Sequence, residues 1–315
     1  MPPRVKPINL AKIKTYPIAK RLSKVKVRDF AGLCKKGATF DKFYRSLPKM
    51  LKANEIRAVC DAICKAYKRG KPVIFMVGAH VIKCGLNPII VDLMKRKVIT
   101  LVAMNGAGMI HDFEIALIGQ TSEDAARSIE DGSFGMARET ASFINEAIST
   151  GVGPERGIGW VVGERIWKED LPNKRLSILA TGYHLNIPVT IHIAMGTDII
   201  HQHPSCNGAA VGKGSFTDFQ IFTSIVSRLG NGGVACNLGS AVILPEVFLK
   251  ALTIARNLGY KVKNMTCANF DMIYQYRPEL NVVGRPISLG GKGYSITGHH
   301  EIMLPLLRQA IIERL

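Results

Sequence analysis

The sequence predicts a doubly wound, mostly parallel α/β sheet with a basic N-terminal arm. Short continuous apolar runs (VIFMV, ITLVAM, PVTIHI, GVACN) alternate with segments whose apolar residues keep helical spacing. Strands without polar alternation are covered on both faces, as in parallel sheets. Small-residue turns, Asn105-Gly106-Ala107-Gly108 and Leu238-Gly239-Ser240, stand directly after such runs, where a parallel strand gives way to its crossover helix. Charge is concentrated ahead of the pattern: residues 1–52 hold fifteen Lys or Arg against two Asp, a net of +13 out of the chain's +18.

The elements follow in order. Lys52–Lys68 reads as a helix closed by Gly70, with Ile56, Val59, Ile63 and Tyr67 on one face; Cys60 and Cys64 join that face as core packing. Val73–Val77 is a buried strand. Asn87-Pro88 opens a helix with cap and first-turn proline in the expected order, and Ile89, Ile90, Leu93 and Met94 supply its apolar stripe. Ile99–Met104 is the second strand, leading through Asn105–Asp112 into a helix closed by Gly119. Residues 122–167 read as helices with polar connections. Pro188–Ile193, Gly233–Asn237 and Tyr260–Cys267 complete five strands; Pro245 opens and Gly259 closes the helix between the last two. No linker follows residue 70, so residues 1–52 read as the arm and 53–315 as one domain.

Composition limits function. Apolar content of 47% with 21% charged residues fits a globular chain, not a disordered one. No uncharged apolar run reaches the about eighteen residues a membrane span needs, and MPPRVKPINLAKIK lacks the apolar core of a signal peptide. Seven cysteines without a C-x-x-C pair point to a reducing cytoplasm. The arm has few aromatics and no groove-reading motif, so wrapping a neighbouring subunit or meeting an acidic partner is favoured over nucleic acid.

In open α/β sheets ligands bind beyond the carboxyl ends of the strands. There the turns NGAGM and LGSAV present backbone N–H groups that can hold a pyrophosphate. Neither completes G-x-G-x-x-G, since His111 takes the third glycine position of the first. With Asp112, Asp198 and Asp271 near other strand ends, the two turns indicate a dinucleotide site. His201 and His203 share one side of an extended segment, as metal ligands can, but no acidic or cysteine partner stands at a diagnostic spacing, so they read as polar loop residues and no metal is expected. Near the chain's end, Ser288–Glu301 (SLGGKGYSITGHHE) packs four glycines around Lys292 ahead of His299 and His300. Lys292 is either a nucleophile held in a tight loop, its amine kept partly neutral, or a solvated turn residue. His299 or His300 can supply proton transfer.

The order GAHVIKCGL, LVAMNGAGMIHDFE, IPVTIHIAMGTD and the glycine–lysine loop before IMLPLL resembles deoxyhypusine synthase and its bacterial relatives, over most of the chain after about residue 70. The resemblance implies a Rossmann-like homotetramer, a dimer of dimers, that binds NAD with active sites between paired subunits. It implies that NAD takes a hydride from spermidine and that the aminobutyl group passes to an active-site lysine and then to an acceptor, a protein lysine or a small amine. Cofactor contacts carry over onto Ala79, His80 and Val81; onto Asn105, Gly106, Ala107 and Gly108, with His111 where the family has glutamate; onto Thr197 and Asp198; onto Gly239 and Ser240; and onto Phe270 and Asp271. The family's histidine after its triple-glycine turn has no counterpart, Leu244 or Pro245 standing there. The family's Trp-Gly-Lys nucleophile aligns with Gly291-Lys292 in one alignment. In a gapless one anchored on Arg277-Pro278 it aligns with Arg285 or Pro286, and a guanidinium cannot replace it because it stays protonated. An NAD-dependent aminobutyl transferase is the leading expectation, a non-catalytic NAD-binding subunit the second, and a nucleic-acid-binding protein using the arm the third.

Overall fold

The computed structural model describes residues 3–315. Helix α1 (Phe40–Ser46) and helix α2 (Leu51–Lys68) lead to strand β1 (Val73–Val77). Then come α3 (Ala79–Lys83), α4 (Asn87–Lys95), β2 (Leu101–Asn105) and α5 (Gly106–Ile118), followed by α6 (Ala125–Ser128), α7 (Arg138–Gly151), α8 (Ile158–Lys168) and α9 (Ile178–Leu185). The second half runs β3 (Val189–His192), α10 (Gly208–Val226), β4 (Val234–Leu238), α11 (Ile243–Asn257), β5 (Thr266–Asp271), a single turn α12 (Tyr276–Pro278), β6 (Lys292–Thr297) and α13 (His300–Ile312). The strands form one sheet in the order β3-β2-β1-β4-β5-β6, every pair parallel. This is the doubly wound, Rossmann-like architecture, with its switch point between β1 and β4.

Alternation along the strands divides the interior into two layers. Val73, Phe75, Val77, Val102 and Met104 join a core covered by α2, α4, α5, α8, α9 and α13. Ile74, Met76, Leu101, Ala103 and Cys267 join one covered by α10 and α11 around Phe222 and Phe248. Both faces of the sheet are therefore apolar, and each fully buried Phe contributes about 1.5–3 kcal/mol.

Two elements differ from the sequence reading. The fifth strand begins at Thr266, not Tyr260, because Asn264 adopts a left-handed φ of 55° and Arg256 holds the Val262 carbonyl at 3.0 Å, making a turn of the intervening residues. The glycine–lysine segment is no loop: Lys292 opens β6, an edge strand that pairs with β5 from Thr266 to Asp271. Gly293 permits this, since a Cβ there would stand 2.9 Å from Val283 Cγ1.

Among the described residues the arm buries no side chain before Tyr44, and Val5, Ile8, Leu22 and Leu33 are each more than four-fifths exposed. From α1 onward it packs on the domain. Arg57 donates to the carbonyls of Leu47 (2.7 Å) and Pro48 (2.9 Å), and the Arg314 guanidinium lies 4.9 Å over the Tyr44 ring. Among the described residues no helix is long and apolar enough to cross a membrane.

Candidate functional site at the carboxyl edge

At the switch point the loops after β1 and β4 abut backbone to backbone. The Gly78 N–H donates to the Leu238 carbonyl at 2.8 Å, and a Cβ on Gly78 would collide with the Gly239 carbonyl. Gly239 has a left-handed φ of 70°, and its Cβ would stand 2.5 Å from His300 Nε2. Only glycine lets these three loops meet. His300, buried in the first turn of α13, has its ring centroid 5.9 Å from that of His80, whose Nε2 lies 3.3 Å from Cys84 Sγ. Burial holds the His300 pKa below its ordinary value, with the His80 charge adding to that and Asp271 opposing it. His299 points outward, 3.7 Å from Glu301, as adjacent residues at a helix start must.

Asp271 closes β5. Its Oδ1 accepts from the Met272 N–H at 2.7 Å, while Oδ2 is buried without a partner. Asn237, at the end of β4, donates to the Ser240 carbonyl at 3.0 Å and to Asn269 Oδ1 at 2.8 Å, leaving its own Oδ1 unpartnered. His300 Nδ1 is likewise unpartnered. Val81 and Phe270 stand in this region by sequence, yet both side chains are fully buried in the core, so only their backbone faces the edge.

The turn after β2 is occupied by the chain itself. Asn105 Oδ1 accepts from the Gly108 N–H at 3.0 Å, and the Asp198 carboxylate lies over Gly106, accepting from the Ala107 N–H. Asp198 is buried, burial pushes its pKa up to about 6, and its Oδ2 keeps no partner. The same residue caps the short turn Ile199–Gln202, where His201 Nδ1 accepts from the Gly196 and Asp198 N–H groups, both at 3.2 Å. His203 turns instead to the Gly135 carbonyl at 2.8 Å. The two histidines therefore do not converge.

Beside this turn lies a cavity of about 250 Å³ whose lining includes Lys83, His111, Glu114, Glu123, Phe134 and Asp198, with Thr197 at its rim. Three carboxylates face one lysine there. Thr121 donates to Glu114 Oε2 at 2.5 Å and so accepts from His111 Nδ1–H at 2.6 Å, while Thr140 donates to Glu114 Oε1 at 3.1 Å. Burial pushes Glu114 up, but His111, 3.7 Å away, and the hydrogen bonds from Thr121 and Thr140 outweigh it and hold the carboxyl below its ordinary value. This network was missed in the sequence, although His111 and Glu114 share a helix face at i,i+3.

Lys292 requires a correction. It pairs with Thr266 at the amino end of β6, whereas Thr297 pairs with Asp271 at the carboxyl end. At about 3.3 Å per residue the two ends are roughly 17 Å apart, so Lys292 does not fold over the mouth of this site. Arg285, its alternative in the gapless alignment, hydrogen-bonds Asn281 at 2.7 Å, and Pro286 is buried. Asp112 is likewise structural. It takes the Ile178 and Leu179 N–H groups at the start of α9 (2.8 and 3.0 Å), Ser177 (2.5 Å) and Asn87 (2.9 Å). Asp218, which carried no sequence signal, ties the Gly159 and Ile191 N–H groups at 3.0 and 2.9 Å and joins α8 to β3.

A dinucleotide fits one half of this edge. After β2 the first N–H groups of α5 are already taken by Asn105 and Asp198, and a buried carboxylate would repel a pyrophosphate. After β1, β4 and β5 no carboxylate takes the first N–H groups of the helix: α3 has no side-chain cap, and the unpartnered polar atoms of Asn237, Asp271 and His300 would suit the hydroxyls of a dinucleotide, not its pyrophosphate.

No family model matches the chain, and no curated protein matches it. Among solved structures, an Entamoeba histolytica protein assigned as a deoxyhypusine synthase is similar, at 10% identity and a TM-score of 0.51 over 88% of this chain and 94% of that one. A Methanococcus maripaludis protein assigned as LOR/SDH shows 15% identity and a TM-score of 0.51 over 90% of this chain and 72% of that one. AgrE in its ternary complex with ornithine and NAD+ shows 14% identity and a TM-score of 0.54 over 82% of this chain. This chain spans about a third of AgrE and of the cyanobacterial arginine dihydrolase ArgZ, 33% and 31% of their lengths. At these identities the likeness is one of fold.

Proposed function

We propose that the chain is an NAD-dependent enzyme of the deoxyhypusine-synthase type. It takes an aminobutyl group from spermidine or a related polyamine and transfers it to an amine acceptor, a small molecule or a protein lysine. The observation that carries this reading is the acidic cavity beside β2 and β3, where Glu114, Glu123 and Asp198 share about 250 Å³ with Phe134 and Ile110. An aliphatic chain bearing ammonium groups matches that lining, with carboxylates for the nitrogens and apolar surface for the methylenes. Likeness in fold to a protein assigned as a deoxyhypusine synthase, and to AgrE, which holds NAD+, supports the same reading.

Ala79, His80, Gly239, Ser240 and Asp271 would hold the dinucleotide, which when bound would take a hydride from the carbon beside the substrate amine and return it once the acceptor amine has displaced 1,3-diaminopropane, so that the transfer is redox-neutral overall. Asp198 and Glu114 bind and orient the ammonium end of the polyamine. The Asp198 carboxyl, pushed up to about 6, is ionised at neutral pH and serves that purpose there. His300, whose pKa burial holds below its ordinary value, stands on the dinucleotide's side of the edge and is the candidate for proton transfer there. Lys292 has no part in the step. A homotetramer belongs to this reading, and the exposed apolar side chains of the arm support it by offering cover to a neighbouring subunit. The test is incubation with NAD and a panel of polyamines, following NADH formation by absorbance and aminobutylated product by mass spectrometry. Absence of aminobutylated product with every polyamine, in reactions that contain an amine acceptor, rules the reading out.

A further inference from the structure

The opposite edge of the sheet holds a second concave site. A cleft of about 380 Å³ opens between the last turns of α2 and the start of β6, its lining including Asp61, Lys65, Arg69, Asn264, Lys292 and Tyr294. Lys65 and Arg69 share one face of α2 with Asp61 at i,i+4 spacing, and Lys292 and Tyr294 share one face of β6. The single acid is engaged elsewhere, since Asp61 Oδ1 pairs with Arg314 Nη1 at 3.0 Å. Lys65, Arg69 and Lys292 form no ion pair among the described residues. The rim is kept clear by Gly232, at a left-handed φ of 113°, where an added Cβ would have only Arg69 Nη1 near it, at 3.9 Å.

We propose that this amino-edge cleft is a binding site for a small phosphate-bearing anion, with Arg69, Lys65 and Lys292 as its ligands. Three unneutralised cations on one concave surface repel one another, and a polyanion between them relieves that repulsion. A guanidinium offers phosphate a bidentate fork, and two ammonium groups add mobile point charges. The volume lies within the range of small-molecule pockets, roughly 300–1,000 Å³. The cleft lies at the far end of the strands from the acidic cavity, so the proposal stands independently of the reaction above.

The test titrates pyrophosphate, with inorganic phosphate in parallel, into the full chain by calorimetry. Because the arm is also cationic, two variants are compared with the parent: Lys65→Gln/Arg69→Gln/Lys292→Gln in the cleft and Lys12→Gln/Lys14→Gln/Lys20→Gln in the arm. The expected result is saturable binding of one pyrophosphate per chain, weakened about tenfold or more in the cleft variant and kept within about twofold in the arm variant. Lys292→Gln alone, at an exposed strand end, should weaken binding about threefold and covers the case of a triple variant that folds poorly. No saturable binding at millimolar pyrophosphate, binding lost only in the arm variant, or binding seen only with RNA would each overturn the proposal.

Discussion

At the carboxyl edge, glycine turns draw carboxylates and a histidine inward: Asp198 over Gly106, His300 against Gly239, Asp271 at the end of β5. At the amino edge, equally glycine-rich turns leave Lys65, Arg69 and Lys292 around an open cleft. The backbone chemistry is the same, and what differs is what the glycines make room for. At Gly106 and Gly239 a Cβ would strike a polar side chain of another loop, so these glycines assemble a site from distant segments. At Gly232 it would meet almost nothing, so that glycine keeps a surface vacant. A glycine-rich stretch thus reports close approach or open space, and only topology tells which.

The comparison breaks most directly at Asp198. Asp198→Ala removes the buried carboxylate from the acidic cavity and should lower amine-dependent NADH formation roughly 10²- to 10³-fold, the scale of losing one preorganised charged contact in a reacting site. Steady-state kinetics with spermidine and NAD measures this. An Asp198→Ala variant that is folded and turns over like the parent would falsify the placement of the amine at this edge.

Much of the fold was legible in the sequence. Buried strands such as VIFMV leave no alternative to a two-faced parallel sheet, and Asn105 and Gly119 bound α5 at both ends as caps do. The site was less legible, because its partners meet only through topology. Nothing in NGAGM indicates that Asp198, more than eighty residues on, takes the Ala107 N–H that a pyrophosphate would need. Asp218 is invisible for the same reason: its worth lies in two N–H groups of other elements. Lys292 misled because a glycine–lysine run looks alike at either end of a strand, and an edge strand that carries Gly293 and follows directly on Gly290-Gly291 does not read as a strand.

Stability should distinguish the two kinds of glycine. Gly239→Val must adopt a left-handed φ of 70° and displace His300, a combination that costs about 3 kcal/mol. Gly232→Ala carries backbone strain without a clash and should cost about 1–2 kcal/mol. Denaturant unfolding of the two variants measures the gap, and equal costs would mean that His300 moves aside freely.

The acidic edge also has a pH signature. Burial raises Asp198 from 3.8 to about 6 in the folded chain, so the folded state holds the proton more tightly than the unfolded one. The stability this contributes is fully present below about pH 4 and is lost as pH rises through about 6, about 3 kcal/mol in all. Asp112, also about 6, and Asp218, about 7, titrate in overlapping windows, so the readout is the parent minus Asp198→Asn. That difference should fall between pH 4 and 6 and then stay level. Polyamine affinity should run the other way, weakening as pH drops below about 6 and the carboxylate is neutralised; a pH-independent affinity would remove Asp198 from the amine site.

The smallest expected effect is a null one. Lys292→Ala should leave amine-dependent NADH formation and product yield unchanged within about twofold. Its Cα pairs with Thr266, not with Asp271, and about 17 Å of strand separates it from the carboxyl end of β6. A four-carbon stem reaches only about 6 Å, so it cannot bring its amine to the acidic cavity of the same chain. Borohydride reduction after incubation with NAD and spermidine makes the test sharper than kinetics alone, because an imine to lysine would be trapped and mapped by peptide mass. The expected map shows no aminobutyl adduct at Lys292. An adduct there, lost in Lys292→Ala together with turnover, would mean that the amino edge of one chain meets the carboxyl edge of another in the active assembly, and the separation of the two edges would hold only within a single subunit.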